Sequence, residues 1–349
     1  MTGLFHRLRL GVAALVLSAS AVGAMAADFP PAGTYKWKFF MPWGAGVWMS
    51  EPTRKFITEE IPKRTNGALQ ISWFYPGEHP YRYTDILLAL QEGAAQMGVT
   101  LGSYSGGLDS RLEAHELPFL LPRSSGAKYL AFMDTVRTKV WNPLMEESWG
   151  AKIAAFQLHP PNQLLTDVAI DGPKSLAGKK IRSFGLTGNL WIESLGGTGV
   201  AMAYPEVATA LATGTVDGAI SSVQSIHGAG WFEHKNVLNL VDVYVNPQWH
   251  LVTTEAYNSL DPVTQKAFDE AMVDMEEMLR AGYFLADYEA WRDAQLRLGV
   301  STVSPPKSLR DQMAKYAEEK IWPRWVEKSG DKSKAVLDEI IKLRDAFKW

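Results

Sequence analysis

Short apolar runs, each closed by glycine or proline, alternate with amphipathic stretches over most of this chain. Tyr35–Met41, Leu69–Tyr75 and Met97–Leu101 carry the aromatic and β-branched residues that suit strands. Pro42-Trp43-Gly44-Ala45-Gly46 breaks the first run and Pro76-Gly77 ends the second. Lys55–Arg64 and Asp85–Glu92 read as helices, and Gly93 stops the latter. The rhythm resumes after Trp149, with strands expected at Lys152–Gln157, Lys179–Ser183, Val200–Ala203 and Asp217–Ser221. Helices are expected between them, at Gly188–Leu195 and Pro205–Thr213. This alternation predicts an α/β fold of mostly parallel sheets covered by helices. Pro160-Pro161 interrupts the second set near its first strand and marks a crossing between domains.

One element stands apart. Asp261 is a good N-cap, Pro262 a favoured first helical residue and Gly299 a stop. Between them Ala267, Ala271, Met275, Met278, Gly282 and Leu285 recur at helical spacing. A helix over 262–298 would be ~55 Å long at the α-helical rise per residue. That exceeds the width of one small domain, so it is expected to run across two, with Gly282 as the place for a bend. Further helices are expected over Ser308–Lys328 and Lys332–Phe347.

Residues 1–26 change the setting. Arg7 and Arg9 precede a short apolar run from Leu10 to Ala21, and Ala24-Met25-Ala26 has the small-x-small form of a cleavage site. Export to the periplasm and cleavage after Ala26 are therefore expected. The apolar run is too short to span a bilayer comfortably, and no later stretch approaches ~20 apolar residues. The remaining length favours two domains. The chain has no cysteine, which excludes disulfides, thiolate metal sites and a lipid-anchored cysteine. A net charge of −3, unclustered, argues against nucleic-acid binding. Thirteen tryptophans offer material for cores and for ligand walls alike.

Catalytic patterns are not found. None of the seven histidines pairs at i, i+4, and His115-Glu116 lacks the second histidine of a zinc helix. Tyr104 holds the central place of Gly102-Ser103-Tyr104-Ser105-Gly106, so this is no nucleophile elbow. Gly196-Gly197-Thr198-Gly199 lacks the lysine of a phosphate loop and follows a helix instead of preceding one. Asp85, Glu78 and Asp109 have no spacing that selects a glycosidase pair. Arg182 is more informative. It ends Leu176-Ala177-Gly178-Lys179-Lys180-Ile181-Arg182, a turn followed by a strand, and its planar fork matches a carboxylate through two parallel bonds. In an exported chain this suggests capture of a small organic acid.

Around this segment and around Glu206-Val207-Ala208-Thr209-Ala210-Leu211-Ala212-Thr213-Gly214-Thr215-Val216-Asp217-Gly218, the chain resembles a known family. The family comprises the extracytoplasmic solute receptors of tripartite ATP-independent periplasmic (TRAP) transporters, of the dicarboxylate-receptor type. The Gly77-Glu78 turn, the helix Ala89–Gly93 and the stretch Trp249-His250 to Asp261-Pro262 are similar in order and spacing. The resemblance implies a two-lobed periplasmic binding protein with a long helix spanning both lobes. The first lobe would take 27–158 with about 248–285, and the second 159–247 with about 286–349. The helix over 262–298 would be shared. Ligand would lie in the cleft, and closure would signal the loaded state to the membrane subunits of a transporter. A monomer without cofactor or metal is expected.

Carried over residue by residue, the resemblance makes Arg182 the carboxylate anchor and Tyr204 an aromatic packed over the ligand. Two positions depart from it. Asn162 stands where many members place a second arginine, and Ser221 where many have asparagine. One arginine suits a single carboxylate on an aromatic or apolar body better than a compact diacid. In the first lobe Trp43, Trp48, Trp73, Glu78 and Tyr81 fall near loops that would face the cleft. Thr100 and Tyr104 fall at a strand end, and Trp249 at the return crossing. The expected function is a receptor for a monocarboxylate. A C4-dicarboxylate receptor, a receptor feeding a sensor kinase and, least, a periplasmic enzyme are the alternatives.

Overall fold

The computed structural model describes residues 28–45, 47, 49–122 and 126–349; the export segment and Trp48 lie outside them. Two sheets organise the chain. The first contains β1 (Tyr35–Phe40), β2 (Leu69–Phe74), β3 (Met97–Leu101), β4 (Ala151–Leu158) and β10 (Pro247–Thr253), in the order β2-β1-β3-β10-β4. The second contains β5 (Gln163–Thr166), β6 (Lys180–Ser183), β7 (Thr198–Ala201), β8 (Gly218–Ser221), β9 (Val237–Asn239) and β11 (Ser301–Val303). Its order is β11-β9-β5-β8-β6-β7.

Both sheets are mixed, with parallel pairings in the majority among the described residues. Five of nine pairings are parallel, and every antiparallel pairing involves β5 or β10. These are the strands that receive the chain as it crosses from one sheet to the other. β3 is buried along its whole length. Gly98 within it has no room for a side chain, since a Cβ would meet Ile86 Cγ2 at 2.8 Å. The helix Ile86–Gln91 therefore lies directly on the strand.

The chain passes between the sheets at 159–162, after β4, and at 240–246, before β10. These two segments are tied to each other. The Asn162 amide donates to Tyr244 O at 2.9 Å and the Val243 amide to Asn162 O at 3.1 Å. The third passage is the helix Pro262–Leu296, 35 residues long and unbroken through Gly282. At the α-helical rise this is about 52 Å. Asp261 Oδ1 accepts from the amides of Val263 (3.0 Å) and Thr264 (3.2 Å), and Gly299 lies beyond its far end at φ +66. Phe268, Met272, Met275, Leu279 and Tyr283 pack with the first sheet, whereas Ala290 and Ala294 pack with the second. One helix thus contributes to two cores.

The last helices, Lys307–Tyr316, Trp322–Ser329 and Asp331–Ala346, sit astride the joint. Trp322 Nε1 donates to Pro118 O at 3.0 Å and Trp325 Nε1 to Glu113 Oε1 at 2.9 Å. Arg324 pairs with Glu193, on a helix of the second sheet, at 3.0 Å. A single apolar cluster consequently runs from Phe40 and Trp249 through Trp191 and Ile181 to Trp325 and Ile340.

Candidate functional site

Arg182 is the penultimate residue of β6, flanked in register by Val200 of β7 and Ala219 of β8. Its side chain is fully buried. Nε donates to Met202 O and Nη1 to Ile220 O, both at 3.0 Å, so carbonyls at the ends of the flanking strands fix the fork. The guanidinium carbon lies 4.2 Å from the Phe184 ring centre and 5.8 Å from that of Trp231. Nη2 is buried and has no hydrogen-bond partner among the described residues. No carboxylate pairs with the guanidinium among them either; the groups that favour its charge are the hydroxyls of Tyr104, Tyr244, Tyr83 and Tyr204. Burial holds its pKa below the ordinary value, and those hydroxyls oppose the shift. An arginine nonetheless stays charged in a protein. A buried cation without a counter-charge costs several kcal/mol in effective terms. An incoming anion removes that cost.

A cavity of about 30 Å³ adjoins this position. Trp43, Leu101 and Tyr104 line it from the first sheet, and Phe184, Tyr204 and Ser221 from the second. His159 and Asn162 reach it from the crossing segment, Ser222 and Ser225 from the N-cap and first turn of the helix Val223–Gly228 that follows β8, and Tyr283 from the long helix. Phe184 covers Arg182, and Ser221 follows the carbonyl that Arg182 holds. The volume admits about one or two waters.

Five of the residues singled out from sequence meet at this cavity: Trp43, Tyr104, Asn162, Tyr204 and Ser221. Trp43 Nε1 donates to the Tyr104 hydroxyl at 3.3 Å. The Tyr104 phenol is pushed up by burial, with the Arg182 charge opposing. The Tyr204 hydroxyl donates to Ser225 O at 2.7 Å, and its ring packs against Trp231. Asn162 has a second task. Its Nδ2 donates to Tyr244 O at 3.1 Å and to Asn246 Oδ1, binding the two crossing segments together.

Five others stand elsewhere, and the expectation is corrected for each. Trp249 is fully buried against Trp141 and His115, and Thr100 Oγ1 shares a hydrogen bond with Ser105 Oγ at 2.8 Å. Trp249 pairs in register with Thr100, and Gln248 with Leu101. Successive strand residues face opposite sides. Since Leu101 lines the cavity, Thr100 and Trp249 face away from it. Glu78 is an exposed turn residue whose carboxylate accepts from the Tyr75 amide at 2.7 Å. Trp73 stacks on Phe39 at 4.5 Å, and the Tyr81 hydroxyl donates to Glu92 at 2.6 Å, so neither reaches the cavity.

Sequence reasoning missed Phe184, His159, Ser222, Ser225 and Tyr283. Phe184 follows Arg182 by two residues, and an aromatic so near a candidate anchor is a readable signal. Tyr283 carries none, because the phase of a helix buried by two lobes is mixed. His159 is set aside with the other histidines when only metal spacing is weighed. Yet it stands directly before Pro160-Pro161, at the crossing itself.

Two sheets joined by short crossing strands, a helix laid along both and a buried cation beside an interlobe cavity define the class of two-lobed periplasmic binding proteins. The chain belongs to the DctP family, bacterial extracellular solute-binding protein family 7, whose model matches residues 47–328. It is accordingly a TRAP-type extracytoplasmic solute receptor and not an enzyme. A solute-binding protein of Roseobacter denitrificans is 26% identical over 238 residues, 66% of this chain and 67% of that one. One of Chromohalobacter salexigens is 29% identical over 119 residues, and the match spans 33% of this chain and 35% of that relative's length. Among solved structures, DctP6 of Bordetella pertussis, a receptor binding pyroglutamic acid, has a TM-score of 0.77 at 21% identity. It covers 88% of this chain and 99% of its own. A Desulfovibrio salexigens TRAP protein with bound orotic acid gives 0.78 at 17% identity, covering 90% of this chain and 100% of its own.

Proposed function

We propose that this receptor captures a small organic acid between its lobes, with the ligand carboxylate on Arg182, and delivers it to TRAP membrane subunits. The observation that carries the reading is the buried guanidinium whose Nη2 has no partner and whose charge has no counter-ion among the described residues. A cavity of about 30 Å³ is too small for an organic acid. Uptake therefore requires the two sheets to separate about the crossings at 159–162 and 240–246, and release repeats the movement. The helix 262–296 is common to both lobes in this reading. The Ala26 cleavage site belongs to it as well, since a periplasmic receptor must lose its export signal.

The favoured ligand has one carboxylate and an aromatic or apolar body. Beyond Arg182, which stands beside the cavity against Phe184, no lysine or arginine is found among the described lining residues, while Trp43, Tyr104, Phe184 and Tyr204 line it. A second buried carboxylate would find no cation to offset its desolvation. Titration calorimetry of Arg182→Lys and Arg182→Ala against a panel of aromatic monoacids, succinate, malate and fumarate tests both statements. The wild type should bind monoacids in preference to the C4 diacids. Lysine replaces a fork by a point charge, and the loss should be ~2–5 kcal/mol, or roughly 30- to 4000-fold. Unchanged affinity in a folded Arg182→Ala protein removes Arg182 from the site. Tight binding of diacids alone returns the receptor to the dicarboxylate class. Asn162→Arg is a poor route to diacid binding here, because it breaks the hydrogen bonds that hold the crossings together.

A further inference from the structure

Most polar groups around the cavity are already committed to the protein. The Tyr204 hydroxyl is held by Ser225 O, Ser222 Oγ donates to Ser225 Oγ, and Ser225 Oγ shares a bond with the Tyr283 hydroxyl. Asn162 Nδ2 is spent on the crossing, and the Tyr104 hydroxyl accepts from Trp43. Among the described residues Nη2 of Arg182 is buried without a partner, and of the residues that line the cavity Asn162 Oδ1, Ser221 Oγ and Nδ1 of His159 make no hydrogen bond to the protein.

His159 is held by a chain of three side chains. Its ring stacks on Tyr283, centre to centre 4.5 Å at 17°. Its Nε2 lies 3.0 Å from Gln248 Oε1, and Gln248 Nε2 lies 3.1 Å from His250 Nε2. Gln248 and His250 are buried on β10, on the strand face that carries Leu101 toward the cavity. A carboxamide offers one acceptor and one donor, so it locks the two rings into opposite states. The oxygen requires a proton on His159 Nε2, and the amide nitrogen requires a bare Nε2 on His250. Burial keeps both rings neutral, with pKa values pulled down to about 4 for His159 and about 3 for His250. A neutral imidazole with its proton on Nε2 presents a lone pair at Nδ1.

The geometry points to His159 as a specificity-determining residue: fixed by Gln248 and His250, it offers an unprotonated Nδ1 to the cavity and selects acids that carry an N–H or O–H donor beside the carboxylate. This rests on the capture reading above and narrows it. Arg182 takes the anion, His159 accepts one hydrogen bond from the ligand body, and an acid without a donor leaves Nδ1 desolvated and unmatched. An unmatched buried polar group is what gives such sites their discrimination.

The test has two arms. Long-range ¹H–¹⁵N spectra of the ligand-free protein should show His159 as the neutral Nε2–H tautomer at pH 7 and His250 as the Nδ1–H tautomer. Gln248→Leu should free both from these states. A His159 that is protonated at pH 7, or that carries its proton on Nδ1, overturns the assignment whatever the acids do. The second arm compares mandelate with phenylacetate, and 3-phenyllactate with 3-phenylpropionate, by calorimetry. The hydroxy acid of each pair should bind about tenfold tighter or more, the equivalent of ~1.4 kcal/mol. His159→Phe keeps an aromatic ring beside Tyr283 and should bring the ratio below about threefold. Equal affinities in the wild type, or an undiminished ratio in His159→Phe, overturn the proposal. If no acid of the panel binds, the Arg182 reading is what fails, and the tautomer spectra alone decide the role of His159.

Discussion

Glu113 should make this protein less stable as pH rises toward neutrality, and Glu113→Gln should abolish that dependence. Glu113 lies on the 3₁₀ helix Ser110–Glu116 and is 3% exposed. Its Oε1 accepts from Trp325 at 2.9 Å, and a Cβ at Gly106 would stand 2.7 Å from its carboxyl, so no space is left for water on that side. Burial pushes its pKa up to about 7 from 4.5; the Trp325 bond opposes this and the nearby Glu116 adds to it. The folded state therefore binds the proton more tightly than the unfolded chain does. The stabilisation is fully present below the unfolded pKa and is lost as pH rises through the folded one. The difference is worth about 3 kcal/mol at 1.36 kcal/mol per unit. Glutamine keeps the oxygen for Trp325 and does not ionise. Urea unfolding of both proteins at pH 5, 6, 7 and 8 reads the effect. The two should be close in stability at pH 5, and the variant should lead by up to about 3 kcal/mol at pH 8. Taking the difference cancels other groups, including Asp287, whose pKa burial also raises, to about 6. A difference that stays constant from pH 5 to 8 refutes the reasoning.

Two further outcomes concern backbone packing and capping. Gly102→Ala would set a Cβ 2.4 Å from Leu112 O, a backbone atom that cannot swing aside. The variant should lose about 1–3 kcal/mol by chemical denaturation, and a loss under 0.5 kcal/mol would show that the close approach is not obligatory. Asp261→Ala removes the cap of the long helix and should cost about 1 kcal/mol, seen as a lower Tm with ligand affinity unchanged.

The fold was legible where turn and cap residues mark the end of an element. β3 and the start of the long helix appear where the sequence places them, because their ends carry the punctuation of turns and caps: Gly102 after one, Asp261-Pro262 before the other. β10 is not legible in this way. Pro247-Gln248-Trp249-His250-Leu251-Val252 is buried on both faces, so no in–out alternation reveals its phase. Trp249 can be placed at the crossing from sequence, but which sheet face it takes cannot. The same ambiguity misplaces Thr100. β9 and β11 are three residues each, too short for any period to register. Within the site, Arg182 and Tyr204 are readable from local motifs. The Gln248–His159 contact joins residues 89 apart in sequence, a relation that only the folded crossing creates.

The place of β10 within the first sheet has a consequence for the order in which the molecule is made. β10 lies between β3 and β4, both of which precede it by a long stretch of chain. A nascent chain ending before Pro247 holds β3 and β4 with nothing between them, each with an open row of amides and carbonyls. The strand that fills the gap emerges only after β5 to β9 have been synthesised. The amino-terminal lobe, first off the ribosome, is thus the one that must wait. Its open edges are the kind that pair with foreign strands, and the delay extends the time for which they are exposed.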